Sequence, residues 1–514
     1  MKIRLLLTVF CALFVLFPLA GAYKQGKILL DCRFTPKEVS ADDLRPGSVM
    51  WEKDSGKEGG PALHLKSTTP AGTRNYPIVL DPELCRGKRL MLEVRVKGLN
   101  LERGEKQHFA PNFMFCIRRR NVRKTRWAKV ASELGSYDWK SFYCVEEIPK
   151  DLESICVVLV LQECTGEAWI DRVVVSEALD APDSGEKPFN AEAAKIRRGP
   201  YADPAKDNRN GKRGFMSGRD MSESAVRTLK LWGANLVRYQ MSPGKKIDAS
   251  TPEKYLSWLE SKMREAETVR ERCFRNGISI VLDLHRAPGG TRSKHASNML
   301  SENTRFDVLE EAWNRLSRFF RGKPGIYAYD LLNEPSIRNS VWQEEVKRLI
   351  AVIRKNDPDT PIVVQSVDHF YTEDDKILYG PHFYSPHDLT HEGVGRFTRW
   401  TYPGYINGVY WDKEQIRLAL KPILDFQQKY NAKIFIGEFS CISWARGADQ
   451  WVRDTVELFD EYGFDYTYHA FREWPPWSLE HEAVSVGKVK PSADNGRKRA
   501  ILNSLKRNRK ASQY

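Results

Sequence analysis

From about residue 212 to the C-terminal region, strand-like and helix-like segments alternate along the chain. Short apolar runs such as Ile278–Leu284 and Tyr327–Leu332 are each followed by a longer segment that is typical of a helix. This alternation indicates a parallel sheet whose strands are connected by crossover helices. Eight strands within roughly 300 residues predict a (β/α)8 barrel. A doubly wound open sheet would alternate similarly, but it often has a Gly-rich phosphate turn after its first strand, and none is present.

The predicted elements of this region can be given by their residues. We expect barrel strands at Arg213–Met216, Ala234–Tyr239, Ile278–Leu284, Tyr327–Leu332, Pro361–Gln365, Lys376–Phe383, Lys433–Gly437 and Tyr466–Phe471. We expect helices at Ser222–Leu231, 252–276, Asn303–Phe320, Val341–Asn356, Lys413–Tyr430, Ala448–Tyr462 and Gly496–Leu505.

Two glutamates lie where predicted strands end. Pro335 cannot continue a strand ladder, so the fourth strand stops and leaves Asn333 and Glu334 at its C-terminal tip. Glu438 ends the seventh strand in the same way. In a parallel α/β barrel, catalytic groups project from these tips. Asn-Glu-Pro alone would also fit an ordinary turn, so the second glutamate is what favours a site.

Further polar and aromatic side chains lie at other strand ends. They are Arg238 after the second strand, His285 after the third, His382 and Tyr384 on one face of the sixth, and Trp474 past the eighth. Each has an ordinary alternative as a salt-bridge partner, a structural histidine or a packing tryptophan. Because they share the C-terminal ends of successive strands, we interpret them as one site.

A pair of glutamates at opposite sides of a barrel mouth suits cleavage of a glycosidic bond. One carboxylic acid protonates the leaving oxygen, and a carboxylate about 5–5.5 Å away attacks the anomeric carbon with net retention. The two groups need different pKa values. Arg238 beside Glu438 would hold that carboxylate ionised, and a less compensated environment would keep Glu334 protonated.

On these residues the barrel resembles glycoside hydrolase family 5, the cellulase-like retaining enzymes. The resemblance spans about residues 205–505 and includes Asn333-Glu334-Pro335, His382-Phe383-Tyr384 and Gly437-Glu438. It implies that Glu334 is the acid/base and Glu438 the nucleophile, with no cofactor. It further implies that Asn333 binds the sugar 2-hydroxyl, that Arg238 and Tyr384 support Glu438, that His285 and His382 contact the reacting sugar and the acid/base, and that Trp474 lies under that sugar.

The loops after the sixth to eighth strands bear on the substrate. They are rich in aromatic residues, namely Trp400, Tyr402, Tyr405, Tyr410, Trp411, Trp444 and Trp477. Such residues either pack the loops or stack on a chain of β-linked sugars. Endo-acting hydrolysis of β-1,4-glucan is the favoured interpretation. The alternatives are an exo-β-glucosidase-like or transglycosylating enzyme acting on mannan, xyloglucan or short oligosaccharides, and a non-catalytic polysaccharide-binding protein.

Asp283, His285 and His382 could also be considered as metal ligands, but this interpretation is disfavoured. They lack the paired spacing of common metal ligands, and both histidines already have roles in the glycosidase interpretation. We therefore predict no metal in the site.

The N-terminal third has a different pattern. Residues 23–180 contain many short strand-like runs separated by turn clusters, which predicts a β-sandwich or jelly roll. The closing run, residues 166–176, resembles the last strands of carbohydrate-binding jelly-roll modules, which implies a carbohydrate-binding domain. Trp51, Trp127, Trp139 and Trp169 either stack on sugars or belong to its core. Residues 181–205 have the turn-rich composition of a linker, and residues 206–514 form the barrel domain with a basic C-terminal tail.

The extreme N-terminus predicts export. Lys2 and Arg4 precede an apolar run, and Ala20-Gly21-Ala22 is typical of a signal-peptidase site, so residues 1–22 are expected to be removed. We expect a secreted or periplasmic monomer without a membrane span in its mature chain. The net charge of +14 comes with no nucleic-acid-binding motif. Eight cysteines follow the signal segment, and their spacing leaves both disulfides and buried thiols open.

Overall fold

The computed structural model describes residues 23–69, 72–104, 110–123, 125–130, 134–180, 196, 211–243, 251–289, 304–335, 339–365, 371–391, 400–406 and 409–511. The expected signal peptide, residues 1–22, lies outside this part of the chain. So does the expected linker, apart from residue 196. None of the described helices is both long and apolar enough to cross a membrane.

Eight parallel strands close into a barrel, which confirms the predicted fold. They are β11 Arg213–Ser217, β12 Leu236–Met241, β13 Ser279–Leu284, β14 Ile326–Asp330, β15 Ile362–Val364, β16 Ile377–Tyr379, β19 Lys433–Phe439 and β20 Asp465–Tyr468. Each strand pairs with the next in this order, and β20 pairs with β11 to close the ring.

The barrel domain contains nine described helices, of which the short one at 387–390 contacts Tyr384 at the barrel mouth. They are Glu223–Trp232, Pro252–Arg275, Phe306–Phe320, Asn339–Asn356, His387–Thr390, Lys413–Ala419, Lys421–Tyr430, Ala448–Glu461 and Gly496–Ala511. The single helix predicted over 413–430 is two helices that meet at Leu420, and Pro422 lies in the first turn of the second. Two hairpins, β17 Gly404–Ile406 with β18 Val409–Trp411 and β21 His481–Ser485 with β22 Lys488–Pro491, were not predicted.

The interior of the barrel is layered because strand side chains alternate in direction. The lower layer is apolar and consists of Leu236, Val281, Ala328, Val363, Leu378 and Phe435. Two residues further along four of these strands lie Arg238, Asp283, Asp330 and Gln365. The polar layer therefore lies directly above the apolar one, at the C-terminal ends of the strands.

Residues 23–180 form two antiparallel sheets, which confirms the predicted all-β organisation. Their strands are β1 Tyr23–Cys32, β2 Val49–Glu52, β3 Ala62–Ser67, β4 Thr73–Leu80, β5 Arg89–Glu102, β6 Pro111–Arg119, β7 Arg126–Val130, β8 Gly135–Glu147, β9 Leu152–Gln162 and β10 Thr165–Asp180. One sheet has the order β2-β3-β10-β5-β8, with β1 also paired to β10, and the other has the order β4-β9-β6-β7. Alternating side chains from both sheets share one apolar core.

The tryptophans of this region differ in environment. Trp51 packs against the core and donates its Nε1–H to the carbonyl of Phe34 at 2.7 Å, so its role is structural. Trp169 stacks on His64 with ring centroids 4.2 Å apart. Trp127, on β7, is 47% exposed.

All eight described cysteines are free thiols in the structure. Six of them are buried; Cys116 and Cys156 face each other across β6 and β9 and are partly buried. Burial raises the pKa of Cys156 to about 12, so this thiol is unreactive at neutral pH.

Candidate active site

Arg238 lies at the centre of the barrel mouth and is fully buried. Its guanidinium donates to Asp330 Oδ2, Glu438 Oε1 and Asn333 Oδ1, each at 2.8 Å, and lies 3.1 Å from Asp283 Oδ1. A planar group with five N–H donors can serve four partners at once, which an ammonium cannot. Arg238, on β12, therefore holds residues from three other barrel strands in one geometry.

Asp330 lies behind this centre. Burial raises its pKa to about 6, against the opposing effect of Arg238. Gln365 donates its Nε2–H to both oxygens of Asp330 at 3.1 Å, and its Oε1 accepts the backbone N–H of Glu334 at 2.6 Å. Through Gln365, the buried carboxylate helps to position the backbone of Glu334.

Glu438 is almost fully buried, and both of its oxygens have partners. Oε1 accepts from Arg238, and Oε2 accepts the hydroxyl of Tyr384 at 2.9 Å. Burial alone would raise the pKa of Glu438, but the positive charges of His382, His469 and Arg238 outweigh it and hold the pKa well below the usual range. Glu438 is thus ionised at neutral pH.

Glu334 is more open to solvent than Glu438, with 36% of its side chain exposed. Its backbone has a φ of +42°, a conformation that non-glycine residues seldom adopt. Its Oε1 lies 2.8 Å from His382 Nδ1. One carboxylate oxygen of Glu334, one of Glu438 and a ring nitrogen of His382 all lie within 4.8 Å of one another.

His382 lies between the two glutamates. Its Nδ1 is 2.8 Å from Glu334 and 3.6 Å from Glu438 Oε2. Burial lowers the pKa of His382, but the charges of Glu438 and Glu334 more than offset this, so the pKa is raised overall. The neighbouring Gly437 leaves room for the cluster, because a Cβ there would lie 3.1 Å from His382 Nε2 and 3.3 Å from Arg238 Nε.

Tyr384 and His285 complete the group of residues predicted from the sequence. The hydroxyl of Tyr384 contacts Glu438 and also His469 Nδ1 at 2.9 Å, and burial raises its pKa well above the ordinary value. His285 is held by Asp283, with 2.8 Å between Nδ1 and Oδ2. Seven of the eight predicted residues are therefore joined through this network of contacts.

Trp474 lies farther out, beyond the end of β20, and is 46% exposed. Its ring centroid is 6.3 Å from that of Trp444 and 6.0 Å from that of Trp477. Trp477 is buried and contacts the rings of Tyr384 and His469. Trp474 and Trp444 thus form an aromatic edge beside the polar cluster.

The other loop aromatics are structural. Trp400 and Tyr402 are buried, and Tyr402 donates its hydroxyl to Asp454. Tyr405 and Tyr410 contact each other across the β17–β18 hairpin, so the packing interpretation fits both pairs.

Sequence reasoning missed Asp330, Gln365, His469 and Glu473. His469 was assigned to the interior of the predicted strand Tyr466–Phe471, whereas β20 ends at Tyr468 and leaves His469 at the tip. Asp330 is a charged residue in a strand that is otherwise apolar and buried. A buried charge needs a partner, so this residue could have been identified from the sequence as part of the site.

Among the described residues, Glu334, His382 and Glu438 are the group close enough to suggest a metal site. Arg238, His382 and His469 already surround Glu438 with positive charge, which would repel a divalent cation. The cluster suits acid–base chemistry better than metal binding.

Comparisons with known proteins identify the family of this chain. The family model described as cellulase, glycosyl hydrolase family 5, matches residues 202–473, more than half of the chain. Endoglucanase C of Acetivibrio thermocellus is 25% identical over 236 residues, covering 37% of this chain and 67% of that protein. Cellodextrinase A of Ruminococcus flavefaciens is 24% identical over 243 residues, covering 42% and 70%. A solved structure described as a glycoside hydrolase has a TM-score of 0.47 and 22% identity, covering 58% of this chain and 99% of that one.

Proposed function

The chain belongs to the cellulase family, glycosyl hydrolase family 5, and is an O-glycosyl hydrolase; on that premise we propose that it cleaves β-1,4-glucan internally with retention of configuration. Glu438 is the proposed nucleophile and Glu334 the proposed acid/base. The closed barrel removes the open-sheet alternative, and the family assignment favours an enzyme over a silent binding protein.

The observation that carries the retaining mechanism is the short gap between the two glutamates. Oxygens of Glu334 and Glu438 approach within 4.8 Å. Retaining enzymes keep their carboxyl groups about 5–5.5 Å apart, whereas inverting enzymes need about 6.5–9.5 Å to admit a water between carboxylate and sugar. The measured gap favours direct attack by Glu438.

In the first step, an oxygen of Glu438 forms a bond to the anomeric carbon while the glycosidic C–O bond breaks. The proton of Glu334 passes to the leaving oxygen, so the departing sugar leaves as an alcohol. Arg238 and Tyr384 orient Glu438 and keep it ionised before attack. Asn333 is fixed by Arg238 at the same mouth, where it is proposed to bind the sugar 2-hydroxyl.

In the second step, a water attacks the anomeric carbon and the bond to Glu438 breaks. Glu334, now ionised, takes the proton of that water and returns to its starting state. His382 contacts both glutamates, and its raised pKa reflects the negative charge that surrounds it. His382 is therefore proposed to stabilise the negative charge on whichever glutamate is ionised in each step. His285 is proposed to contact the sugar next to His382.

Two kinds of observation support β-1,4-glucan as the substrate class. The relatives named above are an endoglucanase and a cellodextrinase. The exposed Trp474 and its neighbour Trp444 also offer aromatic surface beside the cluster, and such surface suits the C–H face of a pyranose. The name of the second relative makes short oligosaccharides the alternative to test.

We further propose that residues 23–180 form a separate polysaccharide-binding domain, joined by 181–205 to the catalytic domain of 206–514 in a secreted protein. The separate apolar cores of the sheets and of the barrel support this division. The exposed Trp127 supports the binding role.

The experiment is a comparison of sugar release by the protein and its Glu438→Gln variant. The panel contains β-1,4-glucan, mannan, xyloglucan, xylan and cello-oligosaccharides. We expect release from β-1,4-glucan by the unmodified protein alone, with a rapid fall in chain length. Sugar release from cello-oligosaccharides alone would indicate exo action instead of endo action. Equal activity of the unmodified protein and the Glu438→Gln variant would refute the role of Glu438.

A further inference from the structure

His469 lies at the tip of the eighth barrel strand and has no part in the mechanism above. Its backbone N–H donates to the carbonyl of Phe439 at 3.0 Å, which ties it to the strand that carries Glu438. Its Nδ1 lies 2.9 Å from the hydroxyl of Tyr384 and 3.6 Å from Glu438 Oε2. The side chain is 22% exposed, so it lies at the edge of the reaction centre.

The hydroxyl of Tyr384 has a single proton but two close polar neighbours. Glu438 is an ionised carboxylate and can only accept a hydrogen bond, so the proton of Tyr384 points at Glu438 Oε2. In the contact with His469, Tyr384 must therefore be the acceptor, and the Nδ1–H of His469 donates to the hydroxyl oxygen of Tyr384. The hydrogen bonds therefore run in one direction, from His469 to Tyr384 to Glu438.

Glu473 lies on the other side of the same ring. Its Oε2 is 3.6 Å from His469 Nε2, and its side chain is only 12% exposed. Its Oε1 is buried and has no hydrogen-bond partner among the described residues. A buried carboxylate beside the second ring nitrogen favours the doubly protonated imidazolium.

We propose that His469 is a positioning residue: braced by Glu473, it donates its Nδ1–H to Tyr384 and thereby holds the Tyr384 proton on Glu438. This inference rests on the proposed retaining mechanism. No bond to His469 forms or breaks, and it keeps its proton throughout. This contact should accelerate the second step most. In that step negative charge returns to Glu438 as the sugar leaves, and the oriented hydroxyl of Tyr384 stabilises that charge.

The charged and titratable surroundings of His469 define its pH behaviour. Burial lowers its pKa, but Glu438 and Glu473 outweigh burial and the opposing charge of Arg238, so the pKa is raised overall. Burial and the nearby His387 and His469 lower the pKa of His391 to about 3, so His391 is neutral. Trp477 packs edge-on against the His469 ring at 4.7 Å and carries no charge. The imidazolium should therefore persist above the pH at which an ordinary histidine loses its proton, and it should be lost as the pH is raised further.

The test uses a substrate with a good leaving group, 2,4-dinitrophenyl β-cellobioside. Its first step needs no acid, and in the second step Glu334 must be ionised, so Glu334 contributes no alkaline loss of kcat. A burst of dinitrophenolate equal to the enzyme concentration shows that the second step limits kcat. An alkaline loss of kcat then reports on His469 or on His382, whose pKa is also raised, and the variants below distinguish the two.

We expect His469→Ala to lower kcat about tenfold or more, the usual effect of a lost hydrogen bond in a charged network. His469→Asn retains an N–H donor, so it should be faster than His469→Ala while lacking the alkaline fall of kcat. Glu473→Gln should move that fall to lower pH. The control Glu482→Gln, which changes a surface glutamate on β21, should leave it in place.

A double-mutant cycle tests whether His469 acts through Tyr384. In a Tyr384→Phe background, His469→Ala should cause less than about a twofold further loss of kcat. The proposal would be overturned if the kcat losses of Tyr384→Phe and His469→Ala multiplied in the double variant. It would also be overturned by equal kcat values for His469→Asn and His469→Ala, or by an alkaline fall of kcat that Glu473→Gln leaves unshifted. No release of dinitrophenolate by the unmodified protein would instead overturn the proposed hydrolytic function.

Discussion

The guanidinium of Arg238 and the carboxylate of Glu438 lie 200 residues apart in sequence, yet Nη1 and Oε1 are 2.8 Å apart at the barrel mouth. Both groups are withdrawn from water, so neither charge is stable without the other. Asp283 and Asp330 depend on the same guanidinium. The polar layer of the barrel is therefore one cooperative unit rather than a set of independent pairs.

Arg238→Leu should expose this cooperativity as a loss of stability. Three buried carboxylates would lose their cation, and breaking one buried pair alone costs about 3–5 kcal/mol. Chemical denaturation of the variant should give a free energy of unfolding lower by at least that order. The matched control is Arg499→Leu, which removes an exposed pair with Asp494 and should change stability by about 1 kcal/mol or less. Equal effects would contradict the buried network.

Glu438→Ala should abolish turnover, because no group remains to attack the anomeric carbon. The truncation leaves space beside Arg238 and Tyr384 for a small anion. Added azide should therefore restore part of the turnover on an activated glycoside and give a product of inverted configuration, identified by NMR. A variant that stays inactive and forms no azide adduct would argue against Glu438 as the nucleophile.

Glu334→Gln should affect substrates according to their leaving groups. Amide and acid are similar in shape, so the contact with His382 can be kept while the transferable proton is lost. The rate of the first step should fall about 10²–10⁴-fold for natural glucan. It should fall far less for an aryl glycoside that leaves without protonation, and pre-steady-state bursts measure that step. Equal losses for both substrates would exclude an acid role.

The sequence was sufficient for the barrel and for most of the site because both depend on local patterns. All eight barrel strands lie within a few residues of their predicted positions, since apolar runs and turn residues mark them. Glu334 and Glu438 could be predicted because each lies two residues past the last apolar residue of such a run. Their contacts with Arg238, Tyr384 and His382 arise between different strands, so local patterns do not give them, and they were expected only from the shared strand ends and the family resemblance.

What escaped prediction depended on the register of single residues. The strand predicted over Tyr466–Phe471 was too long, which concealed His469 and drew attention to Trp474 instead. Gln365 was placed on the correct strand, but its hydrogen bonds to both oxygens of Asp330 and to the backbone of Glu334 depend on the neighbouring strand β14 and its tip. The break at Leu420 reflects how Pro422 fits the first turn of a helix but not its interior.

Trp127→Ala should separate binding from catalysis. If residues 23–180 bind polysaccharide through this exposed ring, retention on insoluble cellulose should weaken about three- to tenfold, as one aromatic contact is lost. Turnover of soluble glucan should stay the same, because Trp127 lies outside the barrel. Val79→Ala, at an 81% exposed apolar position on the same sheet, is the control. Unchanged retention in both variants would remove Trp127 from the binding surface.

Glu345 gives a prediction about stability that is independent of the active site. This glutamate of the helix Asn339–Asn356 is 2% exposed, and its Oε1 has no hydrogen-bond partner among the described residues. Burial, together with the charge of Glu310, raises its pKa to about 7. Between pH 4.5, its ordinary pKa, and about pH 7 the folded state thus holds a proton that the unfolded chain has released. The contribution of Glu345 to stability must therefore fall as the pH rises through this window.

Glu345→Gln replaces the acid by a neutral group of the same shape, so it should remove that loss. At pH 8 the variant should be more stable than the unmodified protein by about 1–3 kcal/mol, and the difference should vanish towards pH 4. Thermal and chemical unfolding across pH measures it. Glu344→Gln, at the exposed neighbour that pairs with Lys347, should show no such pH-dependent gain. A constant difference between the Glu345→Gln variant and the unmodified protein at every pH would show that folding does not raise the pKa of Glu345, because only a shifted pKa makes the gain depend on pH.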